Sequence, residues 1–194
     1  MRNPSAVIAN LATGQATCGS GSDTLSNFEN RSGSGYADTV TGNAAANTLT
    51  GGTGADIFVL NGVLASDTIT DFASGSDKVR ISQAGIPVGN GDAVVNGAIT
   101  VSGPGGFATS AEVVLVTGNI AGALTAASAA AAIGSANSAY GIGAKSVFVV
   151  DNGTSSAAYL FTAADANAAV SAAELTLLAT LSNTAATTTA DWIF

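Results

Sequence analysis

Histidine is absent from this chain, cysteine occurs once, and only 9% of the 194 residues are charged. Without histidine there is no Ser-His-Asp triad, no Cys-His pair and no histidine-bound zinc. The lone Cys18 excludes an intrachain disulfide and any cysteine-rich metal cluster. Lysine and arginine total five, too few for the basic face that nucleic acid or anionic lipid requires. The longest apolar stretch, residues 120–133, is mostly alanine broken by serine and threonine, too short and too weakly apolar for a membrane span. Met1-Arg2-Asn3-Pro4 leads straight into a short strand-like run, without the apolar core of a signal peptide. Glu29, Glu112 and Glu174 are scattered, so no carboxylate pair for glycoside hydrolysis stands out, and the expectation is a chain that is not an enzyme by itself.

What is present is acidic and repetitive. Ten Asp and three Glu leave a net charge of -8, and short Asp side chains in tight turns suit a hard cation such as calcium. From Gly33 the chain reads GSGYADTVT, GNAAANTLT and GGTGADIFV, three nine-residue units in unbroken register. An earlier unit, CGSGSDTLS at 18–26, is set apart by residues 27–32. Position six is Asp23, Asp38, Asn47 or Asp56; position eight is Leu25, Val40, Leu49 or Phe58. The third contiguous unit fits the G-G-x-G-x-D-x-U-x calcium pattern at every fixed position. Gly33, Gly35, Gly51 and Gly54 permit sharp turns that point carbonyls inward, and the Asp adds a carboxylate beside them. Two units complete a coil, so Asp38 and Asp56, eighteen residues apart, are expected to face one ion. Asn47 falls on the opposite edge and brings less charge.

These residues carry a resemblance. Residues 6–82 look like the end of a repeats-in-toxin β-roll of proteins exported by type I secretion. Residues 23–30, followed by Gly33-Ser-Gly-Tyr-Ala-Asp-Thr39, resemble the join between repeat blocks, and Ser66-Asp-Thr-Ile-Thr-Asp-Phe-Ala-Ser-Gly-Ser-Asp-Lys-Val79 resembles the closing motif. The resemblance implies that Asp67, Asp71 and Asp77 help hold the last calcium ions. Cys18, Arg31 and Arg80 depart from the family pattern, and a cation at Arg80 would weaken a nearby site.

After Ser82 the composition shifts to Ala, Val, Ser and Thr, dividing the chain into a roll at 1–82 and a β-rich region at 83–194. Gly89-Asn90-Gly91 and Gly103-Pro104-Gly105-Gly106 mark turns. Strands are expected at 98–101, 112–116 and 174–181, with a helix possible for the last. A hairpin is expected from 145–150 and 157–161, and an Ala-rich helix over 122–133. Asp151, Asn152, Asp165 and Asn167 read as turn residues. The ending Asp191-Trp-Ile-Phe194 resembles the secretion tail of metalloproteases in this export class, and it also suits an edge strand pinned by Trp192.

The expected fold is therefore mainly all-β: a parallel β-roll of nonapeptide repeats, then a β-rich region with one short helix. The expected function is a calcium-binding C-terminal module that folds on calcium outside the cell. It would carry an export signal for a larger, secreted protein, with the type I secretion machinery as partner. The chain starts part-way through the repeat pattern, which suggests a piece of a longer polypeptide. Two alternatives stay open: a calcium-glued, self-associating surface-layer or adhesin protein, and a carbohydrate-binding module using exposed Asp and Trp192.

Overall fold

The computed structural model describes residues 5–89 and 91–194; Met1 to Pro4 and Asn90 of the expected turn lie outside the described residues. Strands β1 (Val7–Asn10), β2 (Gln15–Cys18) and β3 (Gly21–Thr24) open the chain, followed by β4 (Asn30–Ser34). From there β5 (Thr39–Thr41), β6 (Thr48–Gly52) and β7 (Ile57–Leu60) follow the nine-residue period, and β8 (Asp67–Ile69) and β9 (Lys78–Ile81) come after spacings of ten and eleven. Successive strands fall alternately in two sheets, with β1, β5, β7 and β9 parallel in one and β4, β6 and β8 parallel in the other. The reason is the repeat itself. A glycine-rich half turns the chain, and a short strand half carries one apolar side chain inward. Val40, Leu49 and Phe58, the eighth residues, are fully buried in one core.

The unit at 18–26 does not coil. Cys18 pairs with Gly21 across a tight antiparallel β2–β3 hairpin, and β3 is exposed along its length. The place ahead of Gly33 is taken instead by residues 24–32: Arg31 pairs with Leu49 in parallel register, and the Thr48 N–H donates to the Glu29 carbonyl. The segment that read as an insert keeps the nine-residue count from Asp38 back to Glu29, and the hairpin takes up the extra length before it.

The second half supplies β10 (Ile99–Val101), β11 (Val113–Val116), α1 (Ala126–Ile133), β12 (Lys145–Asp151), β13 (Ser156–Thr162), β14 (Leu175–Leu181) and β15 (Trp192–Ile193). The helix starts later than expected because Thr125 caps it, its hydroxyl accepting from the Ser128 N–H. Gly134, at φ +76°, ends it. Segment 174–181 resolves as a strand, and the expected hairpin forms as β12–β13. β14 joins β8 in parallel, so one eight-stranded sheet runs β10-β11-β12-β13-β14-β8-β6-β4. β15 adds to β9 in the seven-stranded sheet. The molecule is mainly β, with mostly parallel pairing in the coils and one short helix.

Candidate calcium-binding edges

The coil turns stack along two edges. On the first, each position-six carboxylate takes the backbone N–H of the coil before it. Val7 donates to Asp38 Oδ1 at 2.6 Å, Asp38 to Asp56 Oδ1 at 2.8 Å and Asp56 to Asp77 Oδ1 at 3.0 Å. On the second edge Asn47 donates to Asp67 Oδ1 at 3.0 Å. Asp38 and Asp56 thus lie on one edge and Asn47 on the other, as the eighteen-residue arithmetic requires. Asp38, Asn47, Asp56, Asp67 and Asp77 are all buried.

The remaining oxygen of each side chain normally receives the N–H four residues earlier. Ser34 donates to Asp38 Oδ2, Asn43 to Asn47 Oδ1 at 2.6 Å, and Ala73 to Asp77 Oδ2 at 2.8 Å. At Asp56 this pattern breaks. Gly51 and Gly52 give their N–H groups to Asp71 at 2.9 and 2.8 Å, and Asp56 Oδ2 stays buried with no hydrogen-bond partner. Burial pushes the Asp56 pKa up, and the nearby Asp77, Asp38 and Asp71 carboxylates push it further. Burial also raises Asp67, to about 6.

The glycines are sterically forced. A side chain at Gly33 would run into the Asp38 carboxylate and the Gly51 carbonyl, and one at Gly51 into the Asp56 carboxylate. Gly54 sits at φ +135°, with the Tyr36 carbonyl 2.6 Å from where a Cβ would be. Gly35 is looser, 3.4 Å from Thr53 Oγ1 on the same measure. Asp23 does not join either edge; it lines a cleft with Cys18, Arg31, Gly35 and Tyr36.

Two partners lay outside the expected set. Glu29 Oε2 accepts from Asn47 Nδ2 at 2.9 Å, a contact signalled only by counting back in nines through the supposed insert. Asp191, fully buried, ties the C-terminus to the closing loop, accepting from Ser74 Oγ at 2.6 Å and the Gly75 N–H at 2.9 Å. Only the acidic-then-apolar ending hinted at it.

Among the described residues no three His, Cys, Asp or Glu side chains form a metal-holding group. An ion here would therefore draw part of its shell from backbone carbonyls, as calcium does. The donor chemistry fits: all-oxygen turns, glycines that leave the carboxylates room, and at Asp56 a buried oxygen lacking any partner.

No curated protein matches the chain. Residues 1–103 match the family model described as Peptidase M10 serralysin C terminal, the calcium-binding repeat region of metalloproteases secreted by the type I route. The match takes in the coils, the closing loop and β10, and no catalytic domain is matched. Because it spans more than half of the sequence, the chain belongs to the serralysin C-terminal domain family.

Proposed function

We propose that this chain is a calcium-folded export module: it binds calcium at the coil edges through Asp38, Asp56, Asp71 and Asp77, and it serves a larger secreted protein. Asp56 Oδ2 carries this reading. A buried carboxylate oxygen without a donor costs roughly 1–3 kcal/mol, more when charged, and a bound cation removes that cost. Calcium modules that work outside cells bind at about 10⁻⁴–10⁻³ M, so free calcium in a cytosol is too scarce to fill such sites. There the carboxylates repel one another and the coils stay open; outside, binding energy becomes folding energy.

The export signal is assigned to region 83–194, at its end. Asp191 and Trp192 are buried and β15 pairs with β9. A tail so placed is free to engage the type I machinery only before the coils close, which suits a chain that folds after transit. The carbohydrate-binding alternative loses its platform, because Trp192 is 2% exposed and its Nε1 donates to Thr187 Oγ1.

The test is calcium titration of the purified chain, followed by far-UV circular dichroism and calorimetry, with Asp38→Ala and Asp56→Ala alongside. Strand signal should appear with calcium, and each variant should lose part of the uptake. A wild-type chain equally folded in excess chelator, taking up no calcium, would overturn the reading.

A further inference from the structure

The two sheets of the roll stop unevenly at its first end. The eight-stranded sheet finishes at β4, whereas the seven-stranded sheet runs two strands past β1, through the β2–β3 hairpin. β3 and β4 are therefore both edge strands, one on an overhang and one in a recess. An unpaired edge presents N–H and C=O groups on which another strand can form. The Thr48 N–H goes to the Glu29 carbonyl, so alternation along the parallel β4–β6 ladder turns the backbone groups of Asn30 and Ser32 to the open side.

Between the hairpin and β4 lies a cleft of about 840 Å³. Arg31 lines it and pairs in parallel register with the fully buried Leu49, so its side chain leaves β4 on the core side. A guanidinium thus stands where Val40, Leu49 and Phe58 place apolar groups. Its Nε is buried with no hydrogen-bond partner, and among the described residues no carboxylate lies within ion-pair distance of it. Asp23, on exposed β3, lines the same cleft and likewise has no ion pair among the described residues. A cation in the recess and an anion on the overhang share one cleft without meeting.

We propose that this end of the roll is an interface between two copies of the chain. A two-fold axis would lay β3 of each copy on the free edge of β4 of the other, with Asp23 of one beside Arg31 of the other. A second copy fits better than an isolated peptide because it carries both halves of the contact. Its overhang enters the recess of the first while its own recess takes the overhang of the first, so both edges close at once and no third copy can add. The charges match in the same exchange, twice over, in a chain that otherwise repels itself at a net charge of -8.

Sedimentation velocity of the whole chain in calcium, over a roughly hundredfold range of concentration, tests the interface. Reducing conditions keep Cys18 from linking copies. The dimer fraction should rise with concentration. Asp23→Arg, on an exposed strand, should weaken association at least ~tenfold with an unchanged circular-dichroism spectrum, because it brings like charges together. Arg31→Asp should do the same, and combining the two changes should restore the dimer. Ser32→Pro removes an outward N–H from β4 while sparing the β4–β6 ladder, and it too should lower the dimer fraction. A wild type that stays monomeric throughout overturns the proposal. So does an Asp23→Arg chain that dimerises as tightly as the wild type, since the contact then lies on another surface. Should Arg31→Asp fail to fold, Asp23→Arg and Ser32→Pro decide: unchanged dimerisation in either removes β3 or β4 from the contact and sinks it.

Discussion

In the coils, Asp56 keeps an oxygen buried without a donor, and burial aided by neighbouring carboxylates raises its pKa. In the second half Glu174 is also buried, less deeply, and Ala164 and Ser171 give it backbone N–H groups at 2.8 and 3.0 Å while Ser171 Oγ adds a third bond. Burial alone would raise Glu174, but those bonds outweigh it and its pKa falls. Asp191 behaves alike: burial pushes up, and bonds from Ser74, Thr188 and Gly75 win. The apolar interiors differ in the same sense. One core is assembled from residues of the second half, with Phe148 in edge-to-face contact with both Phe107 and Phe161. The coils put Val40, Leu49 and Phe58 into a core they share with the second half, which adds Val113, Leu115, Val147, Val149, Leu160, Leu178, Leu181 and Trp192. Glu174 and Asp191 have donors for their buried charge, whereas Asp56 keeps an oxygen without one.

The largest effect that follows is regional. In excess chelator, amide hydrogen exchange should speed up by orders of magnitude over β5–β7 while β11–β13 stay protected, since local opening tracks local stability. Restoring calcium should bring the coils back. Uniform protection in both conditions, or loss of both regions together, would break the contrast.

Next in size is the latch between the regions. Asp191 accepts from Ser74, Gly75 and Thr188 and stands 3.7 Å from Lys78 Nζ. Asp191→Ala leaves these donors unpaired and should lower stability by about 3 kcal/mol in calcium, read from the denaturant midpoint. A loss below ~0.5 kcal/mol would mean the tail is held by Trp192 and the β15–β9 pairing alone.

How much of this could be read in advance follows the reach of each interaction. The coils were legible because Val40, Leu49 and Phe58 repeat at nine residues and Gly33 and Gly51 are forced by local sterics. The hairpin at β2–β3 was not. Its GSGSD sequence meets the turn pattern, yet Cys18 pairs with Gly21 across the hairpin and Asp23 lies on an exposed strand. Glu29 was hidden for the opposite reason: it breaks the residue pattern while keeping the register. The joins β14–β8 and β15–β9 link residues about 110 apart and leave no local mark. The second-half strands showed through β-branched runs such as Val113-Val-Leu-Val116, whereas their order in the sheet did not.

The smallest expected effect sharpens the contrast through protons. A carboxylate whose folded pKa is raised destabilises the metal-free fold when ionised, and that penalty is relieved as pH falls through the folded value toward the unfolded one. For Asp67 the window runs from about 6 down to ~3.9. Glu174 and Asp191, lowered in the fold, contribute stability above ~4 and lose it only below that. In chelator, stability should therefore rise by about 1 kcal/mol from pH 7.5 to 5, peak between ~4 and ~5, and then fall. With calcium the slope over the same range should reverse, because protons compete for the ligand oxygens. Asp56→Asn removes the partnerless charge outright, so in chelator it should stabilise at pH 7.5; Asp67→Asn is the arm that should flatten the rise toward pH 5. Melting curves at the two pH values, with and without calcium, measure all four cases. A steady loss of stability on acidification in chelator would show that the coil carboxylates have found partners without a metal, and the two regions would then differ in their cores alone.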